Sequence, residues 1–337
     1  MVDLAFAGAG FATAIHGMAV AAVPDLRVVR VASRTMRSAR RRTRQTGGTA
    51  CTYDELPGGA NAVVVATPPA QHRREAERAV AAGAVALVEA PLAATLEDAD
   101  RLVASAGGRV GYAEALVHSP VVTEAVAACR RLGQLTHLEV RLAQGRPDWG
   151  DHLDPSWGGG ALLDPGVHAV ALTLLTAAPA RLRRVQARPL DGHGLEVDDD
   201  ASLTLEFDSG LRAQVRATWR AAAPAWDAQA ASPDGAVRLE LVPRPTVELN
   251  GAPLALPAPP PGVASPQLHH LGYVTQLSAL AADVDAGRPP TPRAAFGRRV
   301  LEIVCAAYAS ARTGEPEPLP FTGRRDTVPL ELWRHLA

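Results

Sequence analysis

The sequence predicts an α/β protein in which an N-terminal doubly wound parallel sheet is followed by an α+β domain with an open, mostly antiparallel sheet. Over the first 117 residues, short apolar runs alternate with helical patterns. Those runs are continuous, as expected of strands covered by helices on both faces. After His118-Ser119-Pro120 the pattern changes to polar–apolar alternation around turn signals, the mark of half-buried antiparallel strands. A length of 337 residues suits two domains of roughly 150 residues each, divided as 1–117 and 118–337.

In the first domain, Val2–Ala7 reads as a buried strand and Phe11–Val23 as a helix. Leu26–Ala32 is a second strand, and the arginine-rich stretch Thr35–Gln45 is helical. Ala62–Ala66 is a third strand, followed by a helix at Ala70–Ala82. Val85–Val88, a helix at Leu96–Ala106 and a last strand at Arg109–Tyr112 complete the alternation. In the second domain a helix, Val121–Arg131, leads to a strand at Leu135–Ala143. Ala201–Phe207 and Leu211–Trp219 flank Asp208-Ser209-Gly210 as a hairpin. Ala236–Leu241 and Thr246–Leu249 add antiparallel strands. A proline-rich linker, Pro257–Pro261, precedes two closing helices at Leu268–Ala286 and Ala294–Thr313. The alternating strands have a second face to cover, so a homodimer or homotetramer through this sheet is expected.

Charge and composition exclude several classes. Lys+Arg 34 against Asp+Glu 35 leaves a net charge of -1, so no electrostatic footprint for nucleic acid or an anionic membrane is present. A hydrophobic content of 47% argues against wholesale disorder. Cys51, Cys129 and Cys305 lie far apart with no CxxC pair, which argues against a disulfide scaffold or zinc ribbon and fits a reducing compartment. Met1–Leu4 has no basic n-region, and no apolar run reaches about 18 residues. A cytoplasmic location is therefore expected. Every basic residue is arginine; the sequence holds no lysine.

Gly8-Ala9-Gly10-Phe11-Ala12-Thr13 follows the first strand and opens the first helix. The first glycine permits a tight turn and the second lets the backbone approach a pyrophosphate, which meets the free N–H groups of the helix N-terminus. Thr13 stands where glycine or alanine is usual, so the packing there must take a larger side chain. The second strand ends at Ser33-Arg34, with Arg37, Arg40 and Arg41 following. A site selective for NAD places a carboxylate there. Arginine instead suits a 2′-phosphate, so NADP(H) is favoured and NAD(H) is the alternative.

Three further segments are Ala66-Thr67-Pro68-Pro69-Ala70-Gln71-His72, Val88-Glu89-Ala90-Pro91-Leu92, and Gly158-Gly159-Gly160-Ala161-Leu162-Leu163-Asp164-Pro165-Gly166-Val167-His168. Together with the glycine turn and the helix ending Ala309–Gly314, they resemble the Gfo/Idh/MocA family of nicotinamide-dependent oxidoreductases over nearly the whole chain. The resemblance implies an N-terminal Rossmann domain and a sheet domain that binds substrate and forms oligomers. It also implies hydride transfer between nicotinamide and a secondary alcohol or ketone, often of a sugar or polyol. It places Ala66, Thr67, Pro68 and His72 beside the cofactor, has Glu89, Ala90 and Pro91 flank the nicotinamide, and makes Asp164 and His168 the catalytic carboxylate and histidine. The i, i+4 spacing of that pair sets both on one helix face, and histidine can exchange the hydroxyl proton near neutral pH.

The family triplet Glu-Lys-Pro reads Glu89-Ala90-Pro91 here, and no lysine can be borrowed from elsewhere. Three readings follow. His168 carries the proton with Asp164, helped by Tyr112 or an arginine; the chain binds a nucleotide or sugar without turnover; or the scaffold performs elimination or epimerisation without net redox.

Trp149, Asp151 and Trp157 precede the Asp164 motif as substrate contacts, since aromatic faces stack on sugar rings and carboxylates bind hydroxyls; His152 lies among them. Glu114 is either a substrate ligand or a solvated loop residue, and Arg146 and Tyr273 are weaker choices. Asp198-Asp199-Asp200, beside His193, reads as a solvated strand start and not as a metal site. His16, His269 and His270 read as helix-surface or interdomain packing residues, and no metal is expected.

Overall fold

A computed structural model of the protein describes residues 1–105, 107–188, 190–263 and 265–334. It divides into two compact units. One comprises Met1–Ser119 with Pro259–Arg298; the other comprises Pro120–Ala258 with the chain from Arg299 onward.

The first unit contains β1 (Val2–Ala7), α1 (Phe11–Val20), β2 (Leu26–Ala32), α2 (Met36–Thr46), β3 (Thr49–Cys51), β4 (Ala62–Val65) and α3 (Pro69–Ala81). β5 (Val85–Val88), α4 (Leu96–Ser105) and β6 (Val110–Tyr112) follow. The strands form a parallel sheet in the order β3-β2-β1-β4-β5-β6. Strand order reverses between β1 and β4, which makes the carboxyl ends of these two strands the switch point where such sheets take ligands. α1 stops three residues before the expected Val23, because Ala22 and Val23 donate to Ala19 O and Val20 O in a tight final turn ahead of Pro24, which has no N–H to continue a helix. The expected end of the fourth helix, Ala106, lies outside the described residues.

The second unit begins with α5 (Pro120–Arg131), β7 (His137–Gly145) and α6 (Pro165–Ala177). It continues through β8 (Leu182–Ala187), β9 (Asp200–Phe207), β10 (Arg212–Thr218), β11 (Arg220–Ser232), β12 (Gly235–Val242), β13 (Thr246–Leu249) and β14 (Ala252–Pro253). After α7 (Pro266–His270) and α8 (Tyr273–Asp285), α9 (Ala294–Thr313) starts in the first unit and ends in the second, followed by β15 (Glu317–Pro318) and α10 (Pro329–Trp333). The sheet runs β14-β13-β12-β11-β7-β10-β9-β8-β15. It is antiparallel except where β7 meets β10. The Asp208–Gly210 hairpin forms as expected, with Gly210 at φ +87.

Several expectations need correction. The single helix expected at Leu268–Ala286 is broken at Gly272, whose φ is +95 and whose missing Cβ would overlap the Ala115 carbonyl. The segment after Pro257–Pro261 does not belong with the second domain. It returns to the first unit, where Leu268, Val274, Leu277 and Leu280 join the core of Val2, Leu4 and Val28. The longest strand, β11, carries no alternation because its start is Ala221-Ala222-Ala223-Pro224-Ala225, where the pairing with β7 shifts register. β8 was not expected either.

The apolar face of the second sheet packs against α5 and α6. Its other face is polar: Glu139, Arg141, Gln214, Arg216, Asp227 and Gln229 line a shallow concavity of about 620 Å³. Arg141 and Asp227 pair across it at 2.5 Å. Such a face can meet water, so burial alone does not require it to be covered. Among the described residues no helix is long and apolar enough to cross a membrane.

Candidate nucleotide-turn and acid–base residues

The Gly8–Thr13 turn leaves β1 and opens α1. Gly8 adopts φ +119, and a Cβ there would overlap the Ala66 carbonyl at the tip of β4. Gly10 is the N-cap of α1 with no side-chain cap, and a Cβ there would meet nothing within 4 Å. The first glycine is thus required by packing and the second keeps space open in front of the helix N-terminus. The carbonyls behind the turn are all engaged. Thr13 donates its hydroxyl to Gly8 O at 2.9 Å, which is how the larger side chain is accommodated. Arg42 of α2, only 9% exposed, donates to Ala9 O at 3.2 Å and to Gly10 O at 2.7 Å. Phe11 and Ala12 form the first turn of α1, with Phe11 exposed.

At the neighbouring strand tips, Ala66 is half-buried and Thr67 is buried with its Oγ1 lacking a hydrogen-bond partner. Pro68 is the N-cap of α3. His72 is turned inward at 1% exposure, its Nε2 lying 2.7 Å from Thr67 O and its Nδ1 2.8 Å from Pro91 O. It ties the β4 tip to the Glu89-Ala90-Pro91 loop. Burial lowers its pKa against the pull of those carbonyls and of Glu89. Glu89 accepts from the Ala90 N–H at 3.2 Å and lies 2.5 Å from His16 Nε2. His16 is therefore no surface residue: it is fully buried, edge-on to Tyr273, and supports the triplet.

The end of β2 presents half-buried Ser33 and exposed Arg34, with exposed Arg37, Arg40 and Arg41 on α2. Tyr112 lies fully buried beside Phe296 with its hydroxyl unpartnered, and burial raises its pKa well above the ordinary value. It is not placed to share a proton with solvent or substrate. Glu114 is 0% exposed and accepts from Leu116 N–H at 3.3 Å, which overturns the solvated alternative.

In the second unit, Asp164 is the N-cap of α6 and His168 lies in its first turn. Gln144 Nε2 and Trp219 Nε1 both donate to Asp164 Oδ2, at 2.9 and 2.8 Å. The His168 ring stacks on Trp226 with centroids 6.1 Å apart. Asp198 builds the turn that delivers these residues. Its carboxylate accepts from Gly160 N–H and Leu162 N–H at 3.0 and 2.8 Å, and its own carbonyl accepts from Ala161 N–H at 2.8 Å. Tyr308 adds a hydroxyl bond at 2.5 Å. A Cβ at Gly159 would overlap that hydroxyl, and one at Gly160 would overlap the Asp198 carbonyl. The expected solvated strand start is thus wrong for Asp198 and Asp199, which are 0% and 4% exposed, the latter 2.7 Å from His193 Nδ1. Burial raises the Asp198 pKa.

Trp149 and Trp157 flank His152, with ring centroids 4.4 and 4.9 Å away, while Asp151 is exposed. Trp219 closes a third side at 6.4 Å. The His152 Nε2 is buried without a partner, and burial lowers its pKa. Asp198, Tyr308, His16 and Arg42 were absent from the residues expected to matter. For Arg42 a signal existed: it lies three residues after Ala39, on the buried stripe of α2. For the others, only tertiary contacts reveal the role.

Residues 2–110 match a family model described as oxidoreductase family, NAD-binding Rossmann fold, and residues 123–242 match one described as GFO/IDH/MocA C-terminal domain. Among solved structures, GenD2 from gentamicin A biosynthesis, in complex with NAD, is 25% identical with a TM-score of 0.83, covering 94% of this chain and 96% of that one. An aldose-aldose oxidoreductase from Caulobacter crescentus, complexed with glycerol, is 23% identical with a TM-score of 0.81 over 94% and 99% of the two chains. A myo-inositol dehydrogenase from Corynebacterium glutamicum is 21% identical with a TM-score of 0.79 over 96% and 100%. No curated protein matches.

Proposed function

The chain belongs to the GFO/IDH/MocA family, with an NAD-binding Rossmann domain, and from that premise we propose that it is an oxidoreductase acting on a secondary alcohol or ketone of a sugar-like or polyol substrate. The observation that carries this reading is the open, glycine-lined helix N-terminus of the first unit; within the second unit, the Asp164–His168 turn, whose carboxylate is held by two donors, supplies the acid–base groups. The cradle fits a dinucleotide. Gly10 leaves the pyrophosphate its space, the α1 amides and dipole favour its charge, and the unpartnered Thr67 hydroxyl offers a further polar contact. A nicotinamide held there would supply the hydride chemistry.

The chain's own residues manage the proton. His168, its plane set by Trp226, takes the hydroxyl proton in oxidation and returns it in reduction. Asp164 has Oδ2 committed to Gln144 and Trp219, so Oδ1 can accept from a substrate hydroxyl or from the imidazole. Trp149, Asp151 and Trp157 contact the substrate. Ala90 holds no charge and takes no part, so His168 works without the family lysine. Arg34, with Arg37 and Arg41, supports a preference for NADP(H), since each can fork onto a 2′-phosphate. We also propose a cytoplasmic protein, its three buried free thiols fitting a reducing compartment, and a homodimer or homotetramer through the polar sheet face.

The test is turnover of NADPH with a panel of keto-sugars by native chain, His168→Ala and Ala90→Lys. Native turnover is expected, with His168→Ala slower by about 10²–10⁴ at unchanged nucleotide affinity. Turnover by Ala90→Lys alone would mean that the native chain binds without reacting.

A further inference from the structure

We infer that Arg42 is a positioning residue for the dinucleotide diphosphate, holding the glycine turn from behind so that its amides face the anion. This rests on the nucleotide reading of the same turn. Arg42 occupies a position of α2 where the helix pattern calls for an apolar side chain: with Ala39 it forms the helix's buried stripe. A buried guanidinium is costly unless its donors are met, and here they are. Nε and Nη2 reach Ala9 O at 3.3 and 3.2 Å, Nη2 also reaches Gly10 O at 2.7 Å, and Nη1 reaches Gln45 Oε1 at 2.5 Å.

The two carbonyls belong to the same peptide planes as the N–H groups of Gly10 and Phe11, which stand at the start of α1. Helix-starting N–H groups have no partner within the helix, and they are the donors that a diphosphate meets in this kind of turn. Hydrogen bonds in a chain polarise one another. A cation on each carbonyl therefore strengthens the amide on the far side of the same plane. The fork also fixes the orientation of both planes before any ligand arrives, so less order must be created on binding. Arginine does not lose its charge at physiological pH, although burial and the neighbouring Arg41 lower its pKa. Arg34, Arg37, Arg40 and Arg41 are exposed, whereas Arg42 is buried against the turn's backbone.

A positioning role differs from a merely structural one in what it moves. In Arg42→Leu the buried volume stays filled, so the ligand-free thermal midpoint is expected to stay within a few degrees of native. The dissociation constants of NADH, NADPH and ADP-ribose should all rise by a similar factor of about tenfold, because the three ligands share the diphosphate. Direct titration by nucleotide fluorescence, with ADP-ribose read by competition, measures this. If Arg42→Leu does not fold, Arg42→Gln is used, and about threefold or more weakening is expected. A folded variant that binds all three ligands as native does would overturn the inference and leave the nucleotide reading intact. If the native chain binds none of them, both fall. Weakening confined to NADPH would also overturn it, because that would place Arg42 at the 2′-phosphate.

Discussion

The two glycine turns that open α1 and α6 look alike in sequence and are chemically opposite. Behind Gly8–Gly10, three consecutive carbonyls are taken by side-chain donors, Thr13 on the first and Arg42 on the next two. Across Gly160–Leu162, three consecutive N–H groups are taken by one aspartate, Asp198, through its carboxylate and its own carbonyl. In the first turn the engaged backbone groups are carbonyls. The second has spent its amides internally and instead presents a carboxylate and an imidazole, Asp164 and His168. A glycine-rich helix opening therefore does not specify anion binding by itself; whether donors or an acceptor back it decides which backbone groups are engaged.

The contrast can be tested from the second turn outward. Asp198→Ala removes three acceptor contacts and leaves the Tyr308 hydroxyl buried without its partner. A loss of about 3 kcal/mol or more is expected in denaturant unfolding; a change below about 1 kcal/mol would mean that the turn stands without this side chain. A pH series sharpens the same point. Burial raises the Asp198 pKa in the folded state, so its stabilisation is complete below the ordinary carboxylate value near 4 and is lost as pH rises through the folded value. Relative to Asp198→Asn, native stability should fall with rising pH in that window, by up to about 1.4 kcal/mol per pH unit. A flat difference would contradict the buried placement. Gly10→Ala probes the other turn. Its Cβ meets nothing within 4 Å and its φ is -80, so unfolding should shift by no more than about 0.5 kcal/mol, while nucleotide affinity falls about tenfold.

The parallel sheet was legible because continuous runs such as Ala62–Val65 are dictated by burial on two faces, and the hairpin because Gly210 takes a left-handed turn that few residues allow. The helices of Leu268–Ala286 were legible as helices, but not as part of the first unit, since amphipathic periodicity reports a buried face and not the element that buries it. Among the candidate residues, Gly8 and Gly10 stood out through the spacing of a phosphate-binding turn, and Asp164 and His168 through the motif that carries the family resemblance. Asp198 and His16 did not, because a buried polar group is recognised only by its partners, and their hydrogen-bond partners lie 36 to 110 residues away along the chain.

The most direct measurement is titration of the native chain with NADH and NADPH, followed by nucleotide fluorescence. Saturable binding of both, tighter for NADPH and weakened for both in Gly10→Ala, is the expected result. Absence of binding by either nucleotide to the folded native chain would contradict the assignment of the first turn, and with it the oxidoreductase reading.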